Sequence, residues 1–304
     1  MELTTRTLLT ERDHAILRAV ENHKFLRSSQ IADLAGGSRQ QVLRRLQKLF
    51  HIGELDRPRS QVDYYRQGGG SRELVYGLPG RQVQRFYLEH ALMTSDIAFT
   101  IDRACRQPEN HRLQLIQENE IARELGKGKA VQGDPFQWYV DITRHLRVGV
   151  RPDRVLQVAL RDSIFPESER ATFFIEADRG TMPITRSGLE QTSILRKLLA
   201  YQSTWAQGLH RSILNIDRFR VLIVTSDQVR AKHMIEACQR IERGRRLFLF
   251  AVHETVIDAQ NIFKIPLING RGEPDSLLES AALRFSETSL ENARVSELHF
   301  QPNN

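Results

Sequence analysis

Apolar residues recur at helical spacing three times within the first fifty positions. Thr10-Glu11-Arg12-Asp13 reads as a capped start, and Ile16, Leu17 and Val20 continue it as a short amphipathic helix. Ser28-Ser29-Gln30 opens a second helix with Ile31, Leu34 and Ala35 inward, and Gly36-Gly37 ends it where the backbone needs a positive φ. Ser38-Arg39-Gln40-Gln41 has the form of a Ser-x-x-Gln capping box, followed by the stripe Val42, Leu46, Leu49 and Phe50. That stripe leaves Arg39, Gln40, Arg44, Arg45 and Lys48 on the opposite face. The period then shortens to two: Val62 to Arg66 and Glu73 to Leu78 flank Gln67-Gly68-Gly69-Gly70-Ser71-Arg72, which predicts a hairpin with a basic tip.

Arg81 to Gln107 returns to helical periodicity, with Leu88, Ala91, Leu92, Ile97, Ile101 and Ala104 inward. Its polar members Glu89, His90 and Asp96 read as surface or internally satisfied side chains. Leu113 to Ile116 predicts a strand, Gly126 to Gly133 a loop, and Phe136 to Ile142 a short aromatic strand. Two β-branched and aromatic runs follow, Val155 to Leu160 and Ala171 to Asp178, joined by a polar turn centred near Phe165-Pro166. Antiparallel pairing about that centre sets Asp153 opposite Asp178. Alternation puts Glu176 and Asp178 on one face, with Asp153 beside them, and Phe173, Ile175 and Ala177 on the other. Three carboxylates on one patch form either a divalent-metal site or the acidic half of an ion-pair network.

A long helix is predicted over Ile184 to Leu209, where Lys197 and Tyr201 stand one turn apart on a common face. Phe219 to Thr225 reads as a buried strand, Asp227 to Arg243 as a basic amphipathic helix and Leu247 to Val252 as another buried strand, an α/β pattern. From residue 271 to 304 the chain turns to Glu, Ser and Asn and reads as a polar tail.

Composition sharpens this outline at one end. The 304 residues carry a net charge of +7. Fifteen Lys and Arg against nine Asp and Glu in residues 1–85 account for six of those charges, so a polyanion partner is expected there. Two widely separated cysteines, Cys105 and Cys238, indicate neither a disulfide framework nor a zinc site. The first residues lack the apolar core of a signal peptide and no apolar run is long enough to span a bilayer, so a cytoplasmic protein without membrane contact is expected.

Three helices and a hairpin in this order resemble a winged helix-turn-helix domain. That resemblance implies binding of double-stranded DNA through the third helix, with Ser38, Arg39, Gln40 and Gln41 as base readers and Arg44, Arg45, Arg66 and Arg72 on phosphates. Many such proteins act as homodimers. The stretch from Pro152-Asp153 to Glu176-Ala177-Asp178, with the helix and strand after it, is similar to the core of the PD-(D/E)xK nuclease superfamily. Asp178 occupies the position where that superfamily carries its lysine, and Lys197 on the following helix is the relocated candidate. The similarity implies catalytic residues Asp153, Glu176, Asp178 and Lys197. Mg2+ would be held by Asp153 and Glu176, with the Ala177 carbonyl as a third ligand and Asp178 either as an extra ligand or as a structural partner of Lys197 or Arg179.

Over residues 10 to about 255 the chain looks like a replication-relaxation protein of plasmids and mobile elements. The residues that carry this are the helical N-terminus, Pro152-Asp153, the run Phe173-Phe174-Ile175-Glu176-Ala177-Asp178-Arg179-Gly180-Thr181, and Lys197 with Tyr201. The implied architecture is α/β: a winged helix-turn-helix domain over 1–80, a linking helix over 81–110, a PD-(D/E)xK nuclease-like α/β domain over 111–270 and a tail over 271–304. The implied function is DNA binding in replication, relaxation or mobilisation, with replication or mobilisation proteins as partners and a nuclease-like domain that is either degenerate or an active Mg2+-dependent endonuclease. Transcriptional repression is a further reading of the same DNA-binding module.

Overall fold

Thr10 begins the first helix, α1 (Glu11–His23), with a reciprocal cap: its hydroxyl accepts from the Asp13 amide at 3.3 Å while the Asp13 carboxylate accepts from the Thr10 amide at 2.7 Å. A strand absent from the sequence expectation, β1 (Phe25–Arg27), leads into α2 (Ser28–Ala35). Gly36 and Gly37, at φ +68° and +83°, turn the chain into α3 (Arg39–His51), as the Gly pair predicts. Val42, Leu46 and Leu49 of α3 are buried with Ile16, Val20, Leu26 and Ile31 in one apolar cluster.

The computed structural model describes residues 8–62, 73–126, 133–161 and 170–278. The second hairpin run appears as β2 (Val75–Gly77), but it pairs antiparallel with β1 (Leu26 opposite Tyr76). Val62 is helical rather than the start of a strand. Phe25 and Val75, buried in one cluster, favour the pairing with β1 because it closes an apolar face over Leu88 and Leu92. Arg66, Arg72 and most of the expected wing lie outside the described residues.

The next helix, α4 (Arg85–Cys105), packs its first half on this cluster and its second half on a seven-stranded sheet. That sheet begins with β3 (Leu113–Ile116), followed in sequence by α5 (Glu118–Gly126), which the pattern did not predict. β4 (Trp138–Thr143) and β5 (Leu146–Val150) form a separate two-stranded hairpin. β6 (Arg154–Leu160) and β7 (Arg170–Asp178) are the expected antiparallel hairpin. α6 (Ile194–Ala206) and the single turn α7 (Leu209–Ser212) cross to β8 (Phe219–Thr225), and α8 (Gln228–Cys238) crosses to β9 (Phe248–Val252). α9 (His253–Asp258), β10 (Leu267–Asn269) and β11 (Pro274–Asp275) follow. The strand order is β11-β10-β9-β8-β7-β6-β3, with β7, β8 and β9 mutually parallel and the other pairs antiparallel. The chain is therefore mixed α/β. Phe174, Val221 and Phe250 face α6, α8 and the β4–β5 hairpin, while Phe173, Leu222 and Leu249 face α4, so the central strands are buried on both sides and read as nearly continuous apolar runs.

Several boundaries differ from the pattern for identifiable reasons. α6 starts ten residues later than predicted because Ser193 is its N-cap, its hydroxyl accepting from the Arg196 amide at 3.2 Å, and Pro183 and Ile184 instead offer their carbonyls to Ile194 and Leu195. α8 ends at Cys238 rather than Arg243, because the chain turns there to bury Ile241. The expected tail is ordered at its start: Asp275 pairs with the buried Arg220 at 2.8 Å, and Leu277 is fully buried. Among the described residues no helix is long and apolar enough to cross a membrane.

Candidate functional site

β6 and β7 pair as Arg154 with Ile175, so the register continued by one residue sets Asp153 beside Glu176, not Asp178. The slip from the expected register is two residues. A slip of one would have reversed every side chain, whereas two preserves the faces, and Glu176 and Asp178 remain opposite to Phe173, Ile175 and Ala177.

Glu176 lies near the end of β7 with only 3% of its surface exposed. Lys197 of α6 donates to its Oε2 at 2.5 Å, and the Tyr201 hydroxyl donates to Oε1. Lys197 and Tyr201 thus share one helix face, as their spacing predicts, and from it both grip the Glu176 carboxylate. Tyr201 is itself held by aromatic packing, with ring centroids 5.8 Å from Phe174 and 6.4 Å from Trp138. Asp153 accepts from the Ala177 amide at 2.8 Å through Oδ2 and meets His90 of α4 at 3.1 Å through Oδ1.

Burial dominates the electrostatics of Glu176 and pushes its carboxyl up to about 7, against the opposing Lys197 charge and with help from Asp153. Burial also acts on Asp153, but the His90 hydrogen bond and the Lys197 charge outweigh it and hold the carboxyl below its ordinary value. Burial works against the Lys197 charge, yet Glu176 and Asp153 keep its ammonium above the usual range. His90 is raised by its bond to Asp153, and Tyr201 is raised well above its ordinary value by burial and by Glu176.

Asp178 points to a different partner. The Arg230 guanidinium of α8 binds both its oxygens, with Nη2 to Oδ1 at 2.8 Å, and the Thr225 hydroxyl adds a donor at 2.7 Å. Arg179 pairs with Glu89 and donates to the Phe86 carbonyl at 2.9 Å. Asp153, Glu176, Asp178 and Lys197 nevertheless line a single cavity of about 350 Å³, together with Phe86, Tyr87 and His90. The sequence reads His90 as a surface or internally satisfied side chain and does not single out Arg230. Nothing local marks either one, since each reaches the site from a helix whose placement is tertiary.

The fit of a divalent cation can be judged from these bonds. Asp153 and Glu176 are adjacent, and each oxygen has one protein donor, which leaves lone pairs free. Mg2+ takes one or two carboxylates together with water or phosphate oxygens, so this pair fits. Asp178 does not, because a guanidinium already occupies its outer face. Among the described residues no group of three or more His, Cys, Asp or Glu is arranged to hold a metal.

The N-terminal candidates divide as well. Arg39, Gln40, Gln41, Arg44, Gln47 and Lys48 are exposed along α3, which contains no acidic residue. Arg39 reaches Glu73 at 3.3 Å, and Gln41 accepts from Arg12 at 2.8 Å. Ser38 is the N-cap of α3 by backbone conformation, but its side chain makes no capping bond. The reciprocal half of the box is also open, because the Gln41 side chain that would supply it is drawn to Arg12. Arg45 turns inward, where its guanidinium grips the buried Asp13 from Nε at 2.7 Å and from Nη2.

Residues 17–215 match a family model described as replication-relaxation, a span that holds α3, Asp153, Glu176 and Lys197 but stops before Arg230. No curated protein and no solved structure matches the chain.

Proposed function

The chain belongs to the replication-relaxation family, and from that premise we propose that it is a DNA-binding protein of a plasmid or other mobile element, acting in replication, relaxation or mobilisation. In this reading the N-terminal helices with β1 and β2 act as a winged helix-turn-helix module on double-stranded DNA, and the seven-stranded sheet with its helices acts as a PD-(D/E)xK nuclease-like domain. The exposed face of α3 carries the reading: Arg39, Arg44 and Lys48 with Gln40, Gln41 and Gln47, and no carboxylate on the helix to oppose them. A helix that enters the major groove leads with its first residues. Arg suits guanine and Gln suits adenine there, while cations further along neutralise phosphates.

The test replaces Arg39, Arg44 and Lys48 by alanine together and measures binding to a mixed-sequence duplex as salt is varied. Each lost phosphate contact should lower the slope of log K against log salt by roughly 0.9, with a marked loss of affinity at moderate salt. Wild-type affinity and slope in the triple variant would end the proposal. Arg45 is left out because its loss would unseat Asp13 and confuse binding with folding.

A second reading, an active Mg2+-dependent endonuclease, is favoured by one observation: Lys197 reaches Glu176 from α6, in compensation for the missing lysine at position 178. Asp153 and Glu176 would hold the cation, which when bound supplies charge neutralisation at phosphate and a water of lowered pKa. The chain's own part is to aim these groups. His90 orients Asp153, Tyr201 orients Glu176, and Lys197 presents an ammonium to the phosphate or nucleophile. Supercoiled plasmid that stays intact with pure protein and either Mg2+ or Mn2+ would remove this reading and leave the first standing.

A further inference from the structure

Two adjacent aromatic side chains on the first turn of α4, Phe86 and Tyr87, are 69% and 68% exposed. The same helix buries Leu88 and Leu92 in its apolar cluster and leaves these two residues outside it. Both residues line the cavity that holds Asp153, Glu176 and Lys197. The Phe86 side of the rim is also tied to Arg179. Arg179 donates to the Phe86 carbonyl at 2.9 Å, its guanidinium carbon stands 5.8 Å from the Phe86 ring, and Glu89 holds the same guanidinium from the next turn.

Rigid aromatic faces beside cations are the usual means of binding nucleic-acid bases without sequence preference, each base stacking on a ring while cations follow the backbone. A base inside a duplex has no free face, because both are stacked on its neighbours. The cavity sets the apolar side chains Met182, Ile194, Leu198 and Ile223 beside Asp153, Glu176 and Lys197, a mixed lining that suits a flat base with polar edges better than the wholly apolar face of a partner helix. Its volume of about 350 Å³ is within the range of small-molecule sites, roughly 300–1,000 Å³. We infer that this pocket binds an unpaired nucleotide of single-stranded DNA, its base stacked on one of the two exposed rings, Phe86 or Tyr87, and its sugar-phosphate chain on the side of Arg179 and Lys197. The inference rests on the DNA-binding reading above and adds the strand state of the substrate at the α/β site. The protein would thus engage duplex through α3 and an opened strand through α4.

The experiment compares wild type, Phe86→Ala with Tyr87→Ala, and the α3 triple variant on two probes: a blunt duplex, and the same duplex with a single-stranded tail carrying 2-aminopurine. The tail should raise wild-type affinity on the order of tenfold and quench the reporter. The Phe86, Tyr87 double variant should lose both effects yet bind blunt duplex as wild type does. High exposure of both rings makes a folding failure in that variant unexpected, and circular dichroism checks it. Equal affinity for tailed and blunt duplex in wild type overturns the inference and leaves the α3 reading intact. Tail binding that survives the double substitution also overturns it. If the substitutions instead change the sedimentation mass, the rings belong to an interface between copies and the inference is wrong. Failure to bind either probe refutes the DNA-binding reading and this inference with it.

Discussion

Glu176 is buried between an ammonium and a phenol, and its carboxyl is lifted from an ordinary 4.5 to about 7. The proton is therefore held more tightly in the folded chain than in the unfolded one. By linkage, this group's contribution to stability is greatest below pH 4.5, falls as the pH rises toward 7, and stays low above it. At roughly 1.4 kcal/mol per unit, the difference between the two ends is about 3 kcal/mol. Glu176→Gln removes it, because an amide of the same shape stays neutral throughout. The amide oxygen can still accept from Tyr201 or from Lys197. Lys197 has an ionic partner to lose only where Glu176 is ionised, and its attraction is already part of the position of that carboxyl near 7, so no further loss is added.

The variant should therefore lie within about 1 kcal/mol of wild type at pH 5, and exceed it by about 3 kcal/mol at pH 8. Urea unfolding of both proteins from pH 5 to 8 measures this. Titrations elsewhere, including those of His23 and His210, occur in both proteins and largely cancel in the difference. A difference that stays flat, or moves against the variant as the pH rises, refutes the reasoning, because it would mean that the Lys197 pair rather than burial sets the charge of Glu176.

Arg45→Ala should cost about 3 kcal/mol in the same assay, since it strands a fully buried carboxylate at Asp13, whereas Arg39→Ala, at an exposed pair, should change stability by less than about 0.5 kcal/mol; equal losses would deny the inward role of Arg45. Asp13 is held at about 2, where the donors Arg45 and Thr10 outweigh its burial, so its stabilisation is present above pH 3.8 and is lost as the pH falls toward 2. Burial pushes the Cys105 and Cys238 thiols up to about 12, so neither should react with a thiol reagent at pH 8 until urea unfolds the chain, and a fast-reacting thiol in the native protein would contradict that burial.

The sequence pattern was most legible where local rules act alone. The stripe Val42, Leu46 and Leu49, the Gly36-Gly37 turn and the buried runs of β6 to β9 follow from periodicity and backbone freedom. Lys197 and Tyr201 were foreseen as a pair because a helix fixes their spacing. What failed depended on competition between distant groups. Ser38 has the right sequence for a closed cap, yet Arg12 takes the glutamine that the cap requires. β2 pairs with β1, a three-residue strand too short to announce itself. His90 and Arg230 complete the carboxylate sites from helices whose docking is set by the core, not by their own neighbours in sequence.

The same distinction explains why the site divides in two. Alternation along β7 sends Glu176 and Asp178 to one side of the sheet, 2 residues apart in a strand that rises about 3.3 Å per residue. Different helices cover that side: α6 stands over Glu176, and α8, entering after β8, stands over Asp178. Each carboxylate near a strand end needs a cation, and each takes one from the helix above it. A lysine at position 178 would point toward Arg230 and need another counter-charge, whereas Asp178 ties the end of β7 to α8 and fixes the wall of the cavity. Lys197 can then serve Asp153 and Glu176 from the other helix. On this geometry Asp178 has a supporting role, and any phosphate chemistry at the site rests on Asp153, Glu176 and Lys197.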